Sequence, residues 1–163
     1  MEVLFTPWRS AYLSAGGIDP AAGCLFCALH KQGDEDALVV HRGSAVYVVL
    51  NRYPYTNGHL MVAPYEHRAS LGAMASGERG EMMDVAAAAE QVLSAEYRPE
   101  GFNIGLNLGR SAGAGVAGHA HLHVVPRWDG DTNFLTVLGG TRTIPEELPA
   151  TRRRLAAAFA RRA

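Results

Sequence analysis

The chain has 163 residues, 48% of them apolar and 19% charged, with a formal net charge of −1. This length suits one domain, and the composition excludes disorder as the main state. The charge gives no sign of a nucleic-acid binder, and no run of about 18 apolar residues exists to span a membrane.

The N-terminus, Met1-Glu2-Val3-Leu4-Phe5-Thr6-Pro7-Trp8, lacks a basic stretch followed by a long apolar core, so a cytoplasmic location is expected. Residues 1–23 read as an irregular lead-in, punctuated by Gly16-Gly17-Ile18-Asp19-Pro20. Cys24 and Cys27 follow as a Cys-x-x-Cys pair, too few for a disulfide framework. Short strands are predicted at 38–40, 45–50 and 59–63, the last stopped by Pro64. The loop 51–58 between the second and third makes them an antiparallel pair. Ser76 is positioned to cap a helix over 77–97, where Met82, Val85, Ala86, Ala89, Val92, Leu93 and Tyr97 recur at helical spacing. Arg98-Pro99-Glu100-Gly101 stops it. A strand at 102–108, a glycine-rich loop at 109–118 and a strand at 119–126 come next. The tail, 141–163, is predicted helical, with Glu146 and Glu147 early and Arg152, Arg153 and Arg154 later, as the helix dipole favours. The order is α+β: an antiparallel sheet of about five strands, one long helix and a C-terminal helix, in one domain over 1–163.

The chemistry concentrates in His119-Ala120-His121-Leu122-His123-Val124-Val125-Pro126. Alternation along a strand puts His119, His121 and His123 on one face and Ala120, Leu122 and Val124 on the other. One histidine reads equally well as a satisfied structural residue. Three in alternation do not, because each buried imidazole needs its own partners. One metal held by all three is excluded by reach: the outer pair lie roughly 13 Å apart along a strand, whereas two arms on one tetrahedral zinc span about 10–11 Å. The three therefore divide their labour. Cys24 and Cys27 alone are compatible with a redox pair, with half of a zinc site, or with small apolar packing.

The His-x-His-x-His motif followed by two apolar residues resembles the histidine-triad (HIT) superfamily of nucleotide hydrolases and transferases. Phe5-Thr6-Pro7-Trp8-Arg9, Asn57-Gly58-His59-Leu60-Met61-Val62-Ala63-Pro64 and Pro126-Arg127-Trp128 fit the same family, and the resemblance covers nearly the whole chain. The stretch 102–134 most resembles actinobacterial diadenosine tetraphosphate phosphorylases of the Fhit-like branch. The resemblance implies a HIT-like fold and cleavage of a dinucleoside polyphosphate or related anhydride at the α-phosphate through a nucleotidyl-histidine, with water or inorganic phosphate as acceptor. It implies His121 as nucleophile, His123 as phosphate-binding partner and His119 as the residue whose carbonyl orients the nucleophile. A neutral imidazole, with an unperturbed pKa near 6.5, suits that attack near neutrality.

Asn107 matches the family's phosphate-side amide, and the loop with Gly109, Ser111 and Gly115 offers backbone N–H groups to a phosphate. This chain departs from the pattern at Gly115 and Val116, where many members carry Gln and Ser or Thr. Asn51 resembles a ribose-binding residue and reads equally as a turn initiator; Phe26, Val48 and Leu50 line either a base pocket or the core. In zinc-bearing members His59 and His119 complete a site with the two cysteines, so the resemblance implies a structural Zn2+ on Cys24, Cys27, His59 and His119. His30 and His41 are alternative ligands, and His67 reads as a surface residue. Members form homodimers or higher oligomers by extending the sheet and packing the long helix. Competing readings are a Hint-type phosphoramidate hydrolase, a nucleotide-binding regulatory module with little turnover, and a hydrolase with a catalytic metal on His121 and His123.

Overall fold

β-branched and aromatic runs bounded by Gly, Pro and Asn give the chain its strands, and the periodic alanine-rich segment gives it its long helix. The computed structural model describes residues 23–131 and 144–162. The lead-in at 1–22, the far end of the 102–134 resemblance and residues 141–143 of the tail lie outside them. In chain order the elements are α1 (Leu25–Leu29), β1 (Val39–Arg42), β2 (Val46–Leu50), β3 (Leu60–Pro64), α2 (Ser76–Tyr97), β4 (Gly101–Leu106), β5 (Leu122–Arg127) and α3 (Leu148–Arg162). Single 3-10 turns stand at Leu71–Ala73 and Arg110–Ala112. The strands form one antiparallel sheet in the order β1-β2-β3-β5-β4. The α+β expectation is met.

Register decides what the sheet presents. Leu60 pairs with Val124 and Val124 with Ile104, so these share one face; Met61 pairs with His123 and His123 with Gly105 on the other. Leu60, Val62, Leu122 and Val124, all on the first face, are at most 2% exposed. α2 lies across β2, β3 and β5, and α3 runs along β1 and α2. The α2 stripe is the expected one: Met82, Val85, Ala86, Ala89, Val92 and Leu93 are buried. α3 buries Thr151, Leu155, Ala158 and Phe159.

Two boundaries differ from expectation for a physical reason. The histidine strand begins at Leu122, not His119, because the preceding amides bond to loops: His119 N–H to the Val116 carbonyl and Ala120 N–H to the Arg68 carbonyl. Ser76 lies inside α2 rather than capping it. Ala75 is the N-cap residue, and the Glu78 carboxylate accepts the Ala75 N–H at 2.6 Å. Arg98 ends α2 in the left-handed region, at φ 49°.

Gly58, immediately before β3, has φ +76°, and a Cβ there would stand 2.9 Å from Leu93 and 3.4 Å from Tyr97 on α2. Glycine is thus what lets the loop 51–58 close onto α2. Gly58→Ala is expected to cost about 1–3 kcal/mol, read as a lowered midpoint in denaturant at unchanged slope.

Candidate active site

The loop between β2 and β3 is folded by its own polar residues. Asn51 Oδ1 accepts the Tyr53 N–H at 3.0 Å, an Asx turn, and the Thr56 hydroxyl donates to the Pro126 carbonyl at 2.8 Å. The loop wraps His59, which is fully buried. Two donors face His59 Nδ1: the Tyr55 N–H at 3.1 Å and the Asn51 amide at 3.2 Å. A ring nitrogen facing N–H donors must accept, so in the neutral ring the proton sits on Nε2. His59 Nε2 then donates to His123 Nδ1, 2.9 Å away. That leaves His123 with its proton on Nε2, as a donor.

His121 has the opposite tautomer. Its Nδ1 lies 2.8 Å from the His119 carbonyl oxygen, which can only accept, so Nδ1 carries the proton and Nε2 keeps a lone pair. The ring is 4% exposed and packs on Phe26, with centroids 4.6 Å apart. Burial lowers its pKa from the usual histidine value, against the carbonyl bond that raises it, so the neutral form is favoured. The His121 and His123 rings stand edge to face, centroids 4.9 Å apart. A nitrogen with a lone pair and an N–H donor are therefore neighbours; the His119 carbonyl sets the first tautomer directly, and the Tyr55 N–H sets the second through His59.

His119 turns the other way. Its Nε2–H donates to the Pro64 carbonyl at 3.0 Å, which leaves Nδ1 as a ligand. Nδ1 lies 3.2 Å from Cys24 Sγ and 3.6 Å from Cys27 Sγ, and Cys27 Sγ lies 3.4 Å from His67 Nδ1. The ligand atoms of Cys24, Cys27, His67 and His119 all fall within 4.8 Å of one another. Tetrahedral zinc with S at about 2.3 Å and N at about 2.0 Å needs S to N separations of about 3.5 Å, so the donor set fits. Burial and the neighbouring Cys24 push the Cys27 thiol up, a cost that a cation relieves by deprotonating it. Burial holds His119 at a pKa of about 4, unprotonated as a ligand must be.

This corrects the expected ligand set. His59 is not with the cysteines; it is bonded to His123 and to the loop 51–58. His67, read from the sequence as a surface residue, is exposed and takes the fourth corner. Neither alternative ligand joins: His30 packs on Tyr47 and Tyr65, and His41 stacks on Phe159.

A cavity of about 560 Å3 opens beside His123, lined among others by Tyr55, Asn103, Gly105, Asn107 and Arg127. Asn107 and His123 thus line the same cavity. His121 does not line this cavity; its ring stands against that of His123, which does. Gly109, Ser111 and Gly115 are exposed on the β4–β5 loop and are not among the lining residues. Asn51 serves the turn and His59, while Phe26, Val48 and Leu50 are buried in the core. Tyr55, whose N–H fixes the His59 tautomer, carries no motif that sequence reading would flag, and Phe26, expected in a base pocket or the core, backs His121.

Comparison with known proteins places these features in context. A family model described as the HIT domain matches residues 32–130. The chain is 46% identical over 167 residues to the AP-4-A phosphorylase of Mycobacterium tuberculosis, covering 99% of this chain and 86% of that protein. A Zn-bound histidine triad family protein from Mycobacterium smegmatis superposes with a TM-score of 0.69 at 26% identity, over 86% of this chain and 96% of that one. The fold is shared with Plasmodium falciparum diadenosine triphosphate hydrolase, at a TM-score of 0.61 and 15% identity, over 76% of this chain and 75% of that one.

Proposed function

We propose that this chain, which belongs to the HIT domain family, is an enzyme that opens a dinucleoside polyphosphate at an α-phosphorus, with His121 as nucleophile and inorganic phosphate as acceptor. The observation that carries the reading is the pair of opposed tautomers: a buried, neutral His121 with Nε2 unprotonated, beside His123 with an N–H directed outward. The relative named AP-4-A phosphorylase supports the substrate class.

For diadenosine tetraphosphate, the His121 Nε2 lone pair attacks the α-phosphorus. A P–N bond forms, the P–O bond to the bridging oxygen breaks, and ATP leaves with that electron pair. The imidazolium keeps its Nδ1 proton on the His119 carbonyl, which disperses the developing positive charge. His123 Nε2–H and the Asn107 amide are the donors for the phosphoryl oxygens, which carry the transition-state charge. A phosphate oxygen then attacks the same phosphorus, the P–N pair returns to Nε2, and ADP leaves with release of one proton to solvent. A catalytic metal on His121 and His123 would need lone pairs from both rings, and the outward nitrogen of His123 bears a proton.

Incubation with diadenosine tetraphosphate and inorganic phosphate is expected to yield ADP plus ATP. AMP plus ATP in the presence of phosphate would reject phosphate as the acceptor and leave water in its place.

A structural Zn2+ is the ion that Cys24, Cys27, His67 and His119 suit, and bound there it supplies a crosslink rather than chemistry. The four ligands join α1, the turn after β3 and the residue whose carbonyl orients His121. The double variant Cys24→Ser/Cys27→Ser is expected to lose one equivalent of zinc per chain and, at zinc one hundred times its dissociation constant, about 2.7 kcal/mol of stability. Metal analysis with thermal melts checks both. The partner proposal is a second copy: β4 is an edge strand of the sheet, and strand pairing there extends it. A dimer mass in solution is expected.

A further inference from the structure

The cavity beside His123 extends over the β4–β5 pair as far as Arg127 and Asp131, well past the reacting centre. The register of the strands explains the room. β4 places Gly105 directly opposite His123, and Asn103 opposite Val125, on the same face. A Cβ at Gly105 would meet nothing within 4 Å. Glycine is a weak strand residue, and here its missing side chain leaves a trough beside the His123 ring.

The walls of that trough are uncharged in effect. Arg127 is clamped by Asp131 through two hydrogen bonds, at 2.6 and 2.9 Å, and donates a third to Asn103 Oδ1 at 2.6 Å. Among the described residues those are the only two charged ones that line it. A polyphosphate would seek unpaired cations, whereas a nucleoside seeks amides, hydroxyls and an aromatic plate. Asn103 and Thr56 supply the first two. Tyr55 supplies the plate: its ring lies 26° from that of His123, with centroids 6.1 Å apart. A volume of about 560 Å3 is of the size that holds a small organic ligand.

We propose that this trough is the subsite for the departing nucleoside of the dinucleoside polyphosphate, the one on the far side of the bond that breaks. It rests on the cleavage reading above and adds to it a source of selectivity: substrates with nucleosides at both ends are preferred over those with one. His123 holds the α-phosphoryl end of the substrate, three phosphates before this nucleoside, and the absent side chain of residue 105 keeps the subsite open.

The test compares diadenosine tetraphosphate with adenosine 5′-tetraphosphate, which has the same α-phosphate and chain length but no second nucleoside. The native protein is expected to show a higher kcat/KM for the first. Gly105→Val, which suits a strand and fills open space, and Asn103→Leu, at an exposed position, are each expected to lower the ratio of the two kcat/KM values at least about tenfold, the worth of one stacked base. Unchanged ratios in both variants, as when a second copy of the chain fills the trough instead, would overturn the assignment. So would a native protein that cleaves both compounds equally well. Cleavage of neither by the native protein would overturn the activity itself, and the subsite with it.

Discussion

Replacing His121 by alanine is expected to lower kcat by about 10⁴-fold or more while nucleotide affinity is retained. The size follows from the role. A nucleophile that splits one difficult displacement into two has no substitute among its neighbours: His123 points an N–H toward the cavity, and the free nitrogen of His119 faces two sulfurs. Affinity is spared because the groups that line the cavity, Asn107 and Tyr55 among them, stay in place. The His119 carbonyl loses its partner, but that carbonyl lies on a segment also held by the His119 Nε2–H bond to Pro64. Equilibrium binding beside steady-state kinetics separates the two effects. A variant that turned over within a few-fold of the native rate would remove His121 from the mechanism.

His59→Phe is expected to lower kcat roughly 10²-fold, the usual scale for losing a correctly placed proton donor. Phenylalanine fills much of the same buried space but cannot donate to His123 Nδ1 or accept from the Tyr55 N–H. His123 is then free to adopt the other tautomer and to present a lone pair where the phosphoryl oxygens need a donor. The orphaned Tyr55 N–H adds about 1–3 kcal/mol of destabilisation, visible in a melt. The same variant is expected to keep its zinc, and His67→Phe to lose it. The reverse outcome would restore His59 to the metal and undo the division of the histidines described above.

Much of this site was legible in the sequence because its information is local. Alternation along a strand and the reach of an imidazole are enough to deny the outer histidines one metal, and His119 does face Cys24 and Cys27 while His123 bonds to His59. The stripe on α2 was readable for the same reason, since periodicity needs no tertiary contact. What failed was long-range. His59 and His67 stand at the two ends of the strand–turn segment 59–67, and nothing in the spacing tells which one folds back to Cys27; the turn after Pro64 decides it. Phe26 backs His121 across 95 residues of sequence, whereas the sequence reads it as lining a base pocket or the core. Asn51 illustrates a third kind of difficulty. An asparagine at a strand end signals a turn and a polar contact alike, and here one side chain makes both, to Tyr53 and to His59.

The most direct measurement is the identity of the residue that carries the nucleotide during turnover. Native protein mixed with diadenosine tetraphosphate without phosphate, quenched in alkali to spare the P–N bond and digested, is expected to yield one adenylylated peptide, with AMP on His121. AMP on another residue, or product formed in a single turnover with no adduct at any time, would contradict the account.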